Sequence, residues 1–223
     1  MRDDFDDPAL KEAFMATIEV AERFLMTGAD DDLRFAVAGF YRILLDQSAA
    51  LADRAQLANT KGDRRDEVGA SAASVLTAAG ACDTFLSEFL TRAQMFRVLD
   101  TQAAGRIRSE RDAAEQWKLL IKERASDSTA AAAFNPSTSR EYANIRCLLR
   151  LRNHVAHRHS RLTPADSWPQ GLADCVAQKL IPVNDGRFFD WATAAYTHVV
   201  AAWAHSGASA WLELMDNTIG FTC

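Results

Sequence analysis

The sequence predicts an all-α protein, a helical bundle preceded by a helical extension. Three observations point there. Alanine is abundant while the 223 residues include only 10 glycines and 5 prolines, a balance that favours helix. Apolar residues recur at helical spacing through several long stretches. No stretch sustains the alternation of a strand, and there is no internal repeat. A chain of this length makes one large domain, or one domain with an extension, and can bury a sizeable core without staples.

The elements follow in order. Pro8 suits a first helical turn, and Leu10, Phe14, Ile18, Ala21 and Leu25 then share one face of a helix over 8–26. Gly28 ends it, and Asp30-Asp31-Asp32 offers a cap and negative charge to the next helix. That helix carries Leu33, Val37, Phe40, Tyr41, Leu44 and Leu51 as its stripe. The segment KGDRRDE, 61–67, has no apolar residue and contains Gly62, which makes it the expected boundary between an extension, 1–67, and a main domain, 68–223.

Residues 68–99 read as a long helix with Val75, Ala79, Cys82, Leu86, Phe89 and Leu90 inward. Residues 104–125 read as one charged helix anchored by Trp117, Leu120 and Ile121, and 126–139 as a loop around Asn135-Pro136. Helix resumes at Glu141. Residues 160–186 hold three prolines and two glycines and read as a loop with one short helix near Leu172–Leu180. Asp185 then caps a last long helix whose stripe is Phe188, Trp191, Ala192, Ala195, Val199, Ala202 and Trp203, with Trp191 and Trp203 as core anchors.

Composition excludes several classes. The net charge of −5 rules out a uniformly basic nucleic-acid binder, so any such surface must be local. The opening MRDDFDDPAL has neither the basic start nor the apolar run of a secretory signal, and no apolar stretch approaches a membrane span. Cys82, Cys147, Cys175 and Cys223 form no CxxC pair and read as reduced, mostly packed thiols of a cytoplasmic protein, with an oxidised framework as the less favoured alternative at this spacing. P-loop, dinucleotide-binding and nucleophile-elbow patterns are absent.

The chemistry gathers in EYANIRCLLRLRNHVAHRHSR, 141–161. Between Arg140 and Arg161 lie six arginines and three histidines against one acid, Glu141. Such a concentration attracts phosphate, although a charge run on a helix is more often a solvated face. Helical phase sharpens the choice. With Ile145 at the centre of the inward face, Leu148, Leu149, Val155 and Ala156 lie within about 80° of it, and Arg152 falls in the middle of that arc. A guanidinium there cannot lose its proton, so it needs a carboxylate inside the fold or a pocket or interface that requires a charge. His157 is offset from Arg152 by roughly 140° and shares a side with Asn153. The two converge on one substrate only if the helix breaks, the arginine wraps round, or a second subunit completes the site, which favours a symmetric homodimer. His154, His157 and His159 point to different sides of one helix, so no zinc site is expected among them. His198 and His205 sit in a helix accounted for by packing.

Arg152-Asn153-His154-Val155-Ala156-His157 resembles the RNxxxH form of the HEPN signature, an arginine followed by four to six residues and a histidine. The preceding LLRL and the basic residues after the motif fit, and the resemblance spans roughly residues 68–217. ACDTFLSEFL, 81–90, looks like the first family helix, in which Asp83 would be the acidic residue beside the motif. The resemblance implies an HEPN-like bundle and a ribonuclease that needs no metal or cofactor, in which the RNA 2′-OH attacks its own phosphodiester. It implies His157 as general acid or base, Arg152 as the stabiliser of the charged phosphorane, Asn153 as the group that orients His157 or a phosphate oxygen, and Asp83 as support for Arg152. Arg150, His154, Arg158 and His159 would contact substrate. Many relatives are toxins or antiviral effectors, so an antitoxin or defence-system protein is an expected partner beside RNA. Toxins of this superfamily silenced by nucleotide transfer carry a tyrosine two residues after the motif histidine; His159 stands there, so that control is not expected. The competing expectation is a non-catalytic HEPN module that binds a nucleotide or a protein. A buried Arg152–Asp83 ion pair, with His157 far from any groove, would favour it.

Overall fold

The computed structural model describes residues 39–156, 167–183 and 191–219. All regular structure among them is helical, and the helices belong to one compact unit, Phe40–Cys223. The helix expected over 8–26, the cap at Asp30-Asp31-Asp32, the residues Leu33 and Val37, and Asp185 and Phe188 lie outside the described residues.

α1 (Phe40–Lys61) and α2 (Arg64–Met95) form a helical hairpin. Segment 61–67 supplies its turn: Gly62 takes φ +73°, which a side chain would resist, and the Asp63 carboxylate accepts the Asp66 N–H at 3.0 Å to cap α2. The contact between these helices is made by small residues. Ser48, Ala52, Ala55 and Ala58 are buried on α1, and the Ser48 and Ser74 hydroxyls meet at 3.1 Å. Tyr41, Leu44 and Leu51 are half-buried as their phase requires, but Phe40 is 44% exposed. It is the first residue of α1, where its N–H donates to Glu88 Oε1 at 3.1 Å.

α2 is the central element, and all six residues expected inward on it are 3% exposed or less. The charged stretch 104–125 is two helices rather than one. α3 (Thr101–Ser109) is capped by Asp100 and α4 (Ala113–Arg124) by Asp112, whose carboxylate accepts the Ala114 N–H at 2.8 Å. An acidic residue before an alanine pair restarts the helix there, and Trp117, Leu120 and Ile121 still point inward. The expected loop 126–139 contains a short helix, α5 (Thr129–Ala133), started by Ser128.

α6 (Arg140–Ala156) lies against α2 and against α9 (His198–Ile219). α7 (Ala173–Ala177) is the short helix expected in 160–186. The last long helix is broken: α8 (Trp191–Ala195) ends at a bend, and α9 begins at His198. The restart shifts the phase. Val199 is 46% exposed and Ala202 is exposed, while Val200, Ala201, Ala204, Ala208, Trp211 and Met215 form the inward stripe. Trp191 and Trp203 are half-buried against the core, and the deep anchors are Trp117 and Trp211, edge to face with centroids 5.4 Å apart. Phe85, Tyr142 and Phe134 close around them, and each side chain of this kind contributes roughly 1.5–3 kcal/mol on burial.

The cysteines correct the expectation of reduced thiols. Cys147 on α6 and Cys175 on α7 are joined as a disulfide, with their Cα atoms 6.0 Å apart. They are 28 residues apart in sequence, and only the docking of α7 on α6 brings them together. Cys82 is free and buried, and burial pushes its thiol pKa far up. No described helix is long and apolar enough to cross a membrane.

Candidate functional site

α6 begins where the Ser139 hydroxyl accepts the Tyr142 N–H at 3.0 Å. Its inner face is Tyr142, Ile145, Leu148, Leu149 and Leu151, all 3% exposed or less. Arg152 continues that side and meets a carboxylate, as a charge in that phase must: its Nη1 donates to Asp83 Oδ2 at 2.6 Å. Neither group is deeply buried, the side chains being 23% and 37% exposed. The Arg152 Nε is out of contact with water and has no hydrogen-bond partner among the described residues. Burial raises the Asp83 pKa above the usual carboxylate range, and the charge and hydrogen bond of Arg152 do not offset it.

The other sequence-derived residues divide into three groups. Asn153 is exposed, one residue from Arg152 and on the next face. His154 is half-buried and edge-on to Trp191, with centroids 5.8 Å apart; burial lowers its pKa, opposed in part by the hydrogen bond that its ring donates to the Gln170 backbone. Arg150 is half-buried and donates from Nη1 to the Gly171 carbonyl at 3.2 Å. Gly171 takes φ +88°, a backbone conformation that a side chain resists, so glycine suits the turn before α7 beside this arginine. His157, Arg158 and His159 lie outside the described residues.

A second charged cluster was not anticipated from the sequence. Glu67, 3% exposed on the first turn of α2, accepts from the His198 backbone N–H at 3.0 Å, from the Arg64 Nη1 at 2.5 Å, and faces the His198 Nδ1 at 2.9 Å. Arg64 also donates to the Thr193 carbonyl on α8. Glu67 therefore fastens the start of α9 to the start of α2 at the point where the last helix restarts. The Arg64-to-Glu67 spacing was a usable signal; the partner His198 is 131 residues away and left none.

An open cleft of about 530 Å³ lies near the other end of α6, lined by Phe134, Asn135, Ser139, Glu141, Glu213 and Leu214. Its two glutamates make it unfit for a polyanion. Among the described residues no group of three or more histidines, cysteines or carboxylates is placed to hold a metal ion. No family model, curated protein or solved structure matches this chain.

Proposed function

We propose that this chain is a metal-independent endoribonuclease of HEPN type, acting at the C-terminal end of α6. The observation that carries the reading is Arg152. Its guanidinium is fixed by one carboxylate oxygen, is still 23% exposed, and uses Nη1 alone among the described residues, which leaves donors for a phosphate. This arginine is oriented by Asp83 and still part-exposed.

In this reading the RNA 2′-oxygen attacks the adjacent phosphorus, the bond from phosphorus to the 5′-oxygen breaks, and a 2′,3′-cyclic phosphate and a 5′-hydroxyl result. One proton leaves the 2′-hydroxyl and one arrives at the 5′-oxygen. His157 carries one of these transfers, since imidazole titrates near neutral pH. Arg152 meets the charge that grows on the phosphorane, and Asn153 orients His157 or a phosphate oxygen. Arg150, His154, Arg158 and His159 contact the strand, and Asp83 positions Arg152. A homodimer with the two RNHVAH segments facing each other brings Arg152 and His157 to one substrate. A toxin or defence effector in the cytoplasm, held by an antitoxin or defence-system partner, is the setting we propose. The Cys147–Cys175 disulfide is the observation that pulls against a cytoplasmic location.

The test is cleavage of single-stranded RNA in EDTA. We expect cyclic-phosphate ends, no cleavage of DNA, and loss of activity in folded Arg152→Ala and His157→Ala proteins by a hundredfold or more, roughly the worth of a proton carrier or an oxyanion donor. If folded His157→Ala cuts as fast as the parent, or if cutting needs added metal, the nuclease reading fails. Light scattering at micromolar concentration tests the dimer. The second reading is a non-catalytic nucleotide-binding or protein-interaction scaffold. It is favoured by one specific observation, that Arg152 already has an internal carboxylate partner.

A further inference from the structure

Arg146 was not assigned a role above, yet it lies on the same helix one turn before Arg150. Arg146, Arg150 and Asn153 follow at i, i+4 and i+7 and therefore share one face of α6. Four residues rise about 6 Å, which resembles the step between successive phosphates of an extended strand.

Neither arginine is an ordinary solvated charge. Both are half-buried, and the Arg146 Nε is shielded from water with no hydrogen-bond partner among the described residues. Arg146 forms no ion pair among them. Asp112 and Glu115 on α4 are near enough to act on the same buried Tyr142 hydroxyl as Arg146 and Arg150 do. Glu115, however, is engaged by Lys118 Nζ at 2.6 Å, and the Asp112 carboxylate caps α4. Lys118 in turn lies over the Tyr142 ring, 5.6 Å from its centroid. Both acids thus have partners of their own, and among the described residues neither Arg146 nor Arg150 makes an ion pair. A half-buried guanidinium with unfilled donors calls for an anion from outside.

We propose that Arg146 is a further substrate-binding residue: with Arg150 it forms a phosphate track along α6, each arginine holding one backbone phosphate of a single-stranded RNA that runs toward the motif end of the helix. The inference rests on the ribonuclease reading and adds the direction and extent of the bound strand. Contacts of this kind position a strand without reading its bases.

The test is equilibrium binding of a 2′-O-methyl oligoribonucleotide, which cannot be cleaved by 2′-OH attack, to the full chain between about 50 and 200 mM salt. Each phosphate contact removed from a single strand makes the slope of log K against log salt shallower by about 0.7. We expect that change for Arg146→Gln and for Arg150→Gln, about 1.4 for the double variant, and similar losses on unrelated base sequences. Arg54→Gln, which alters an arginine already paired with Asp66, serves as control and leaves the slope unchanged. If glutamine does not fold there by circular dichroism, Arg146→Met keeps the apolar stem and removes the same charge. A parental slope in Arg146→Gln, with a shallower one in Arg150→Gln, overturns the role of Arg146 and leaves the ribonuclease reading standing. A parent protein that does not bind RNA, or that binds anionic vesicles in preference to it, overturns both.

Discussion

α2 presents two carboxylates to basic partners, and the two are in opposite condition. Glu67 is closed in. Its side chain is 4% exposed, its oxygens serve His198 and Arg64, and its partners also hold a carbonyl of α8. Burial acts to raise its pKa, but the ring and backbone N–H of His198 and the Arg64 guanidinium outweigh that and hold it below the usual range. Among the described residues Asp83 pairs with Arg152 alone, its side chain is 37% exposed, and burial wins over Arg152 so that its pKa is raised. The first cluster is complete and ties three helices together. The second is half-open: one contact joins Asp83 to Arg152, and burial disfavours charge on Asp83. The difference separates a closed, multiply partnered carboxylate from a half-open one, and it is the half-open pair that we propose serves a site.

The largest effect that would sharpen this contrast is on stability. Glu67→Ala removes the acceptor from two charged or polar partners at a buried position, and we expect a loss of about 3–5 kcal/mol in urea denaturation at unchanged m. A loss below about 1 kcal/mol, the range of surface ion pairs, would erase the distinction.

Asp83→Asn should do the reverse. Stability changes by no more than about 1 kcal/mol, because the pair is partly solvated and its carboxylate carries no favourable shift. RNA cleavage falls about tenfold through kcat with little change in KM, since Arg152 loses its orientation and keeps its charge. Asp83→Glu should restore part of that rate. An unchanged kcat in Asp83→Asn would mean that Asp83 does not position Arg152.

The smallest effect is on the pH dependence of unfolding. The Glu67 pKa is depressed in the folded state, so its stabilisation is present above the unfolded carboxylate value of about 4.3 and is lost as pH falls through the lower folded value. The Asp83 pKa is raised, so the folded state binds that proton more tightly, and its contribution falls as pH rises rather than as it drops. Glu67→Gln should therefore flatten the acid limb of the stability curve and Asp83→Asn should not. Equal flattening by both would break the comparison.

The legible parts of the sequence were those where one helix face decides burial. Val75, Ala79, Cys82, Leu86, Phe89 and Leu90 lie inward as their helical spacing requires, although α2, as the central helix, also buries Ala78, Ala81, Phe85 and Ala93 on its other sides. Arg152 was legible for the same reason, since a charge in an apolar phase demands a partner, and the carboxylate it found is Asp83. Where a helix is interrupted, periodicity misleads. Val199 and Ala202 fit a continuous stripe from Trp191, but the bend before His198 turns the following residues by one position.

The sequence by itself determined the helical class, the long central helix, the inward anchors Trp117, Leu120 and Ile121, and the placement of a guanidinium at the edge of the core. Each follows from local periodicity and from the cost of burying charge, which act over one or two turns. The tertiary structure decided the restart of the last helix at His198, the joining of Cys147 to Cys175, the Glu67 clasp, and the shielding of the Arg146 Nε, which has no hydrogen-bond partner among the described residues. These depend on which distant helices come to lie side by side. Residues 67 and 198 meet across 131 positions because packing of α9 on α2 buries Val200, Ala204 and Trp211, and no pattern within either helix encodes what the other brings.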